Sequence, residues 1–141
     1  MPKKLNFIVS ENSFEKFGMM VILGTTGAAM ETEMNFFFTF WGLHLLKKSF
    51  NPKVAGMPFP MKSMAAAMFK KKLKSFGYDD MWDMVKDGVE DGKIKLYPCS
   101  MTMDLMIPPI KKEQLFDFVE PAVGAAAFME MCDGADGIIS L

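Results

Sequence analysis

The feature that most constrains this chain is a set of short apolar runs that do not alternate with polar residues. Leu5-Asn6-Phe7-Ile8-Val9 and Asn35-Phe36-Phe37-Phe38-Thr39-Phe40-Trp41 are apolar along nearly their whole length, and Lys93-Ile94-Lys95-Leu96-Tyr97-Pro98 is a third strand-like piece. A strand with one wet face alternates; a strand covered on both faces does not. Segments with helical spacing separate these runs. The order predicts an α/β fold of three layers, α/β/α, around a mostly parallel sheet of about four to five strands.

The intervening segments read as follows. Polar residues from Ser10 to Ser13 precede a helix over Phe14–Met30, whose Gly24, Thr25, Gly27, Ala28 and Ala29 permit close approach of a neighbour. Leu43–Lys48 is a short helical piece. Asn51–Pro60, with its prolines and glycine, is a loop with a brief extended piece at Val54-Ala55, and Met61–Phe76 is a helix with a lysine-rich face. Tyr78–Asp91 is a helix that Gly92 ends. Met101–Met106 is a turn of helix broken by Pro108-Pro109. Lys111–Val119 and Ala122–Cys132 have helical composition, Gly134–Gly137 is a turn, and Ile138–Leu141 is a final short strand. No repeat and no composition shift divides the chain, so residues 1–141 are expected to form one domain, a common size for a single core.

Composition narrows the function. Half of the residues are hydrophobic and the formal net charge is −1, which argues against disorder and against a field that recruits nucleic acid. All 16 basic residues are lysine. Without arginine there is no bidentate fork for phosphate and no guanidinium to stack on bases, which disfavours nucleotide or nucleic-acid binding. The start Met1-Pro2-Lys3-Lys4 lacks the pattern of a signal peptide, and the apolar stretch Phe17–Met30 is too short to span a bilayer. A cytoplasmic protein without a membrane span is expected. The run Lys70-Lys71-Lys72-Leu73-Lys74 reads as a solvated helix face.

Motif chemistry leaves little besides thiols. Gly24-Thr25-Thr26-Gly27 follows no strand, so it is neither a phosphate loop nor a dinucleotide fingerprint. One histidine, His44, and two separated cysteines, Cys99 and Cys132, fall short of a zinc ligand set, and Asp133 and Asp136 lack the rest of a calcium series. No metal and no cofactor is expected. Cys99 directly follows the third strand and precedes a helical turn. In open α/β sheets sites gather at the carboxyl ends of strands, and a sulfur before a helix meets free N–H donors. Ser100 and Thr102 offer hydroxyl donors to that sulfur, and Asp104, one turn on, can orient a partner or cap the turn. Cys132 lies in a helical run and is either a packing residue or a second thiol.

The segment Cys99-Ser100-Met101-Thr102-Met103-Asp104-Leu105-Met106 resembles the Cys-x-Met-Ser/Thr-Met-Asp-x-Met segment of the DsrE/DsrF-like family, in the branch often labelled DsrE-like or peroxiredoxin-like. Phe36–Leu43 resembles that branch's Phe-Phe-Thr-Phe-Trp-Gly-Leu stretch, and Lys111-Lys112-Glu113-Gln114-Leu115 its Lys-Arg-Glu-Glu-Leu stretch, in the same order. This chain departs after Met106, where Ile107-Pro108-Pro109-Ile110 replaces a shorter, glycine-containing link.

The resemblance implies a sulfur carrier rather than a multiple-turnover enzyme. The carrier thiol would be Cys99, loaded as a persulfide or thiosulfonate, in a protein that forms homo-oligomers such as trimers or hexamers. Rhodanese-like and TusA-like sulfur carriers are the implied partners. Two other classes fit the residues: a non-catalytic assembly module built on methionine- and phenylalanine-rich surface, and a thiol redox sensor in which Cys132 resolves an oxidised Cys99.

Overall fold

The structure, a computed structural model, describes residues 3–50, 68, 71–72 and 78–141. Strand β1 (Lys4–Val9) leads into helix α1 (Phe14–Ala29), then β2 (Glu33–Phe38) and a 3-10 segment (Phe40–Leu46). Helix α2 (Tyr78–Glu90) precedes β3 (Ile94–Pro98), helix α3 (Ser100–Leu105) and a second 3-10 turn (Lys112–Gln114). Helix α4 (Ala125–Met131) and strand β4 (Gly137–Ser140) complete the described elements. The expected loop at Asn51–Pro60 and most of the expected helix Met61–Phe76, with its lysine run, lie outside the described residues.

The four strands form one all-parallel sheet in the order β3-β2-β1-β4. The chain steps outward from β1 to β2 to β3, then returns past β1 to add β4. Parallel crossovers are right-handed, so the outward helices and the returning helix fall on opposite faces. The result is the expected α/β/α arrangement.

The first face is the main core. Phe7, Val9, Phe36, Phe38, Ile94 and Leu96 point there and meet Phe14, Phe17, Met20 and Val21 of α1 and Trp82 and Val85 of α2. Phe7 and Phe36 are register partners whose rings stack with centroids 4.6 Å apart. Each such buried side chain contributes roughly 1.5–3 kcal/mol, so this face dominates the fold's stability. Ser13 caps α1 by accepting from the Lys16 N–H, which serves one of the orphan donors of the first turn.

The second face is thinner. Among the described residues, Ile8, Phe37, Tyr97 and Cys99 meet Val123 and the short α4, through Phe128 and Met131, with Cys132 at its end. Phe37 and Phe128 stack at 4.6 Å and 14°. At the edge strand β4, Ile138 and Ile139 are exposed.

Three expected elements differ. The second strand starts at Glu33 and stops at Phe38: the Thr39 N–H makes the last ladder bond, to the Val9 carbonyl, and Phe40 then turns into a left-handed backbone (φ 48°). The expected helix over Lys111–Val119 is only the turn Lys112–Gln114. Its hydrogen bonds go elsewhere: the Lys48 N–H bonds the Gln114 carbonyl and the Phe116 N–H bonds the Leu46 carbonyl. The helix expected from Ala122 begins at Ala125, because Val123 is extended beside Cys99.

Candidate functional site

Cys99 sits one residue beyond β3 and is the N-cap of α3. Its N–H donates to the Phe38 carbonyl at 2.9 Å, which continues the β2–β3 ladder, and its carbonyl accepts from Met103 at 3.1 Å, which starts α3. Val123 runs parallel to it on the other side: the Ser100 N–H donates to the Val123 carbonyl and the Val123 N–H to the Pro98 carbonyl, both at 2.9 Å. Strand end and helix start therefore fix the backbone of Cys99 from three directions. The residue is only 7% exposed, packed with Phe37, Phe128 and Val123.

Ser100, Thr102 and Asp104, expected to support Cys99, follow it on α3. Thr102 is buried, and its hydroxyl lies 3.1 Å from the Thr39 hydroxyl and accepts the Phe40 N–H at 3.1 Å. These bonds hold β2's end against α3. Holding Phe40 at positive φ costs on the order of 1–3 kcal/mol for a bulky residue, and the Thr102 contact is one of the bonds that fixes it. The Ser100 N–H is taken by Val123. The cap side chain of Cys99 makes no hydrogen bond to the first turn, so the N–H groups an N-cap side chain ordinarily reaches, those of Met101 and Thr102, remain the donors nearest in chain to the sulfur. Asp104 is exposed on α3.

Two concavities flank this corner. One, of about 310 Å³, lies under β3's end and is lined by Pro98, Met103, Lys112, Phe116, Glu120 and Pro121, among others. The other, of about 450 Å³, is lined by Phe40, Trp41, His44, Lys47, Ile107 and Gln114, among others. His44 stacks on Trp41 there, 6.0 Å between centroids. Burial, and then the charge of Lys47, lower its pKa from the ordinary histidine value. The rim is apolar and exposed: Phe40, Trp41, Met101, Leu105 and Ile107 all present large side chains to solvent. Among the described residues no three His, Cys, Asp or Glu side chains converge to hold a metal ion. No helix of the described residues is long and apolar enough to cross a membrane.

Cys132 is the C-cap of α4 and half-buried, and its sulfur accepts a hydrogen bond from Asn6 Nδ2 at 3.4 Å. Cys99 stands four residues further along the sheet than Asn6 and two strands across from it, roughly 16 Å between their Cα atoms at ordinary strand spacing. Both cysteines are free thiols. Asn6 and its register partner Asn35 are buried amides on this face that spacing alone does not single out. The available signal was an amide on the inward pleat of an otherwise apolar strand.

Comparison with known proteins agrees with this geometry. A profile of the DsrE/DsrF/DrsH-like family matches residues 1–138. The sulfur carrier protein DsrE2 of Allochromatium vinosum is 36% identical, over 95% of this chain and 95% of its own. The Bacillus subtilis protein YrkE, itself uncharacterized, is 26% identical over 99% of this chain and 96% of its own. A parallel α/β/α sheet with a cysteine at the end of its third strand, matched along nearly its whole length, places this chain in the DsrE/DsrF/DrsH-like family.

Proposed function

We propose that this protein is a cytoplasmic sulfur carrier that relays sulfane sulfur on Cys99. The observation that carries the reading is the full-length similarity to a protein named as a sulfur carrier, together with Cys99 at the carboxyl end of a strand and the start of a helix. The step is a thiol exchange. The Cys99 sulfur attacks the outer sulfur of a persulfide R–S–SH, a new S–S bond forms as the donor's breaks, and R–SH leaves with the displaced proton. With tetrathionate the same attack on an inner sulfur gives a Cys99 thiosulfonate and releases thiosulfate.

Negative charge on the loaded sulfur falls toward the N–H groups of Met101 and Thr102 and the positive end of α3. Ser100 and Asp104 border this corner, and Lys112 lines the adjoining cavity, a cation suited to an anionic donor. Because Cys99 is covered, loading requires the Val123–Phe128 segment to move. That gating suits a carrier met by a partner better than an enzyme open to solvent. The exposed apolar rim is a surface on which a rhodanese-like or TusA-like carrier, or another copy of the chain in a homo-oligomer, would dock.

The test is incubation of reduced protein with polysulfide, thiosulfate and tetrathionate in turn, followed by peptide mapping. Trypsin cleaves after Lys95 and Lys111, so Cys99 and Cys132 fall on separate peptides. A reductant-reversible sulfur or thiosulfonate on the 96–111 peptide supports the reading. The burial of Cys99 favours a second one, a non-catalytic assembly module with an inert thiol. That reading gains if no donor loads Cys99 and thiol reagents reach it only after denaturation.

A further inference from the structure

Two sequence features have no part in the chemistry at Cys99: the aromatic pair Phe40-Trp41, and the link Ile107-Pro108-Pro109-Ile110 that sets this chain apart after Met106. The fold brings them to one place. Phe40, Trp41, Ile107, Pro108 and Ile110 all line the cavity of about 450 Å³ at the end of α3. Ile110 and Met106 of its lining pack on the main core, and none of its lining belongs to the Phe37–Phe128 layer over Cys99. Phe40, Trp41 and Ile107 are 57%, 60% and 97% exposed, so folding gains little from them. Phe40 is also held at φ 48°, a strained backbone for a bulky residue. Clustered apolar surface with a strained residue at its rim marks a binding site rather than a packing solution.

The polar part of the lining has one sign. It consists of His44, Lys47 and Gln114, with no Asp or Glu among the described residues. Lys47 is half-buried and makes no ion pair among the described residues, whereas its neighbour Lys48 pairs with Asp117. A partly desolvated cation without a counter-ion is complementary to an anion. Gln114 Oε1 accepts the Lys111 N–H at 2.8 Å, which leaves the Nε2 donors unbonded among the described residues. Backbone bonds from the Lys48 N–H to the Gln114 carbonyl and from the Phe116 N–H to the Leu46 carbonyl, both 3.0 Å, hold the two polar segments together. His44 contacts Trp41 and Phe50, at 6.0 and 5.7 Å between centroids, and extends the aromatic wall.

We propose that this cavity binds an aromatic monocarboxylate, with its ring against Trp41 and Phe40 and its carboxylate toward Lys47 and the Gln114 amide. An ammonium and an amide NH2 are donors only, and a carboxylate is an acceptor only, so the two sides match. The exposed Trp41 ring offers a face for the offset stacking that aromatic pairs prefer. The volume falls within the range of small-molecule sites. No bond is made or broken in this step. The site is separate from sulfur carriage and stands whether or not Cys99 loads.

The test follows the indole N–H signals of Trp41 and Trp82 in the full nitrogen-15-labelled chain by nuclear magnetic resonance, with Trp41→Phe used to assign them. Trp82, buried in the main core, is the internal reference. The probes are 2-naphthoate and its cationic counterpart, 2-naphthylmethylammonium. 2-Naphthoate is expected to shift the Trp41 signal saturably, with a Kd of roughly 1 mM or tighter, and to leave Trp82 in place. The ammonium probe is expected to bind at least about tenfold more weakly. Lys47→Met keeps the apolar stem and removes the charge, and is expected to weaken 2-naphthoate about tenfold. If Lys47→Met does not fold, Lys47→Gln is read in the same way. The absence of a saturable Trp41 shift overturns the proposal, as does an equal response to both probes or undiminished 2-naphthoate binding in the folded Lys47 variant.

Discussion

Phe128→Ala should expose Cys99. Phe128 is the single buried residue of α4, and its ring stacks on Phe37 directly beside the thiol. Phenylalanine-to-alanine changes in cores cost about 3–5 kcal/mol. The lower end applies here, because a seven-residue helix on a thin layer can settle toward the gap. At about 2 cal/mol/K per residue over this chain, a loss of about 3 kcal/mol lowers Tm by roughly 10 °C. Most of that loss falls on the docking of α4 rather than on the main core. If about 2 kcal/mol of it comes from local opening, the open fraction rises about 30-fold. The assay is the rate of iodoacetamide labelling of the 96–111 peptide in native protein. A rise of about 30-fold is expected. A rate within about threefold of wild type, in a variant whose Tm has fallen, would refute the claim that α4 gates Cys99.

Further outcomes follow from particular contacts. Gly42→Ala should destabilise by about 3 kcal/mol in chemical denaturation, because a Cβ there meets the Val9 backbone carbonyl, which cannot yield. Gly27→Ala should cost less than Gly42→Ala in the same assay. Its Cβ meets only the flexible Met34 side chain, and alanine regains about 1 kcal/mol of helix propensity. Thr102→Val should cost about 1–3 kcal/mol, since it removes the acceptor of the Phe40 N–H and the partner of the Thr39 hydroxyl. The Asp136 carboxylate accepts the Lys3 and Lys4 N–H groups, and these bonds hold its pKa below the ordinary aspartate value. A carboxylate depressed in the folded state adds stability above its unfolded pKa and loses it as pH falls through the folded one. The Tm difference between wild type and Asp136→Asn should therefore be largest near neutral pH and shrink toward strongly acidic pH.

Much of this architecture is legible in the sequence, and for a physical reason. Strands buried on both faces leave continuous apolar runs, so Leu5–Val9 and Phe36–Phe38 mark themselves, and Gly92, at φ 75°, ends α2 as its position suggests. Cys99 is likewise legible as the first residue past a strand. The connections after it are not. Lys111–Val119 has helical composition but spends its hydrogen bonds on the 46–48 segment, and Val123 extends to cover Cys99. Local preference loses there to ladder bonding, which one-dimensional spacing does not report. Thr102 shows the same limit: its type suits a donor to sulfur, while its bonds with Thr39 and Phe40 come only with the fold. Asn6 and Asn35 are visible only once register brings them side by side.

The central claim is tested most directly by following sulfur onto Cys99 and off again. Wild-type protein and Cys99→Ser are loaded with polysulfide, freed of donor, and mixed with a reduced thiol acceptor, while the 96–111 peptide is monitored by mass. The account predicts an added sulfur on that peptide in wild type, absent from the variant, which leaves as the acceptor gains it. A folded wild-type protein whose 96–111 peptide never gains sulfur, or gains sulfur that no acceptor thiol removes, would contradict it.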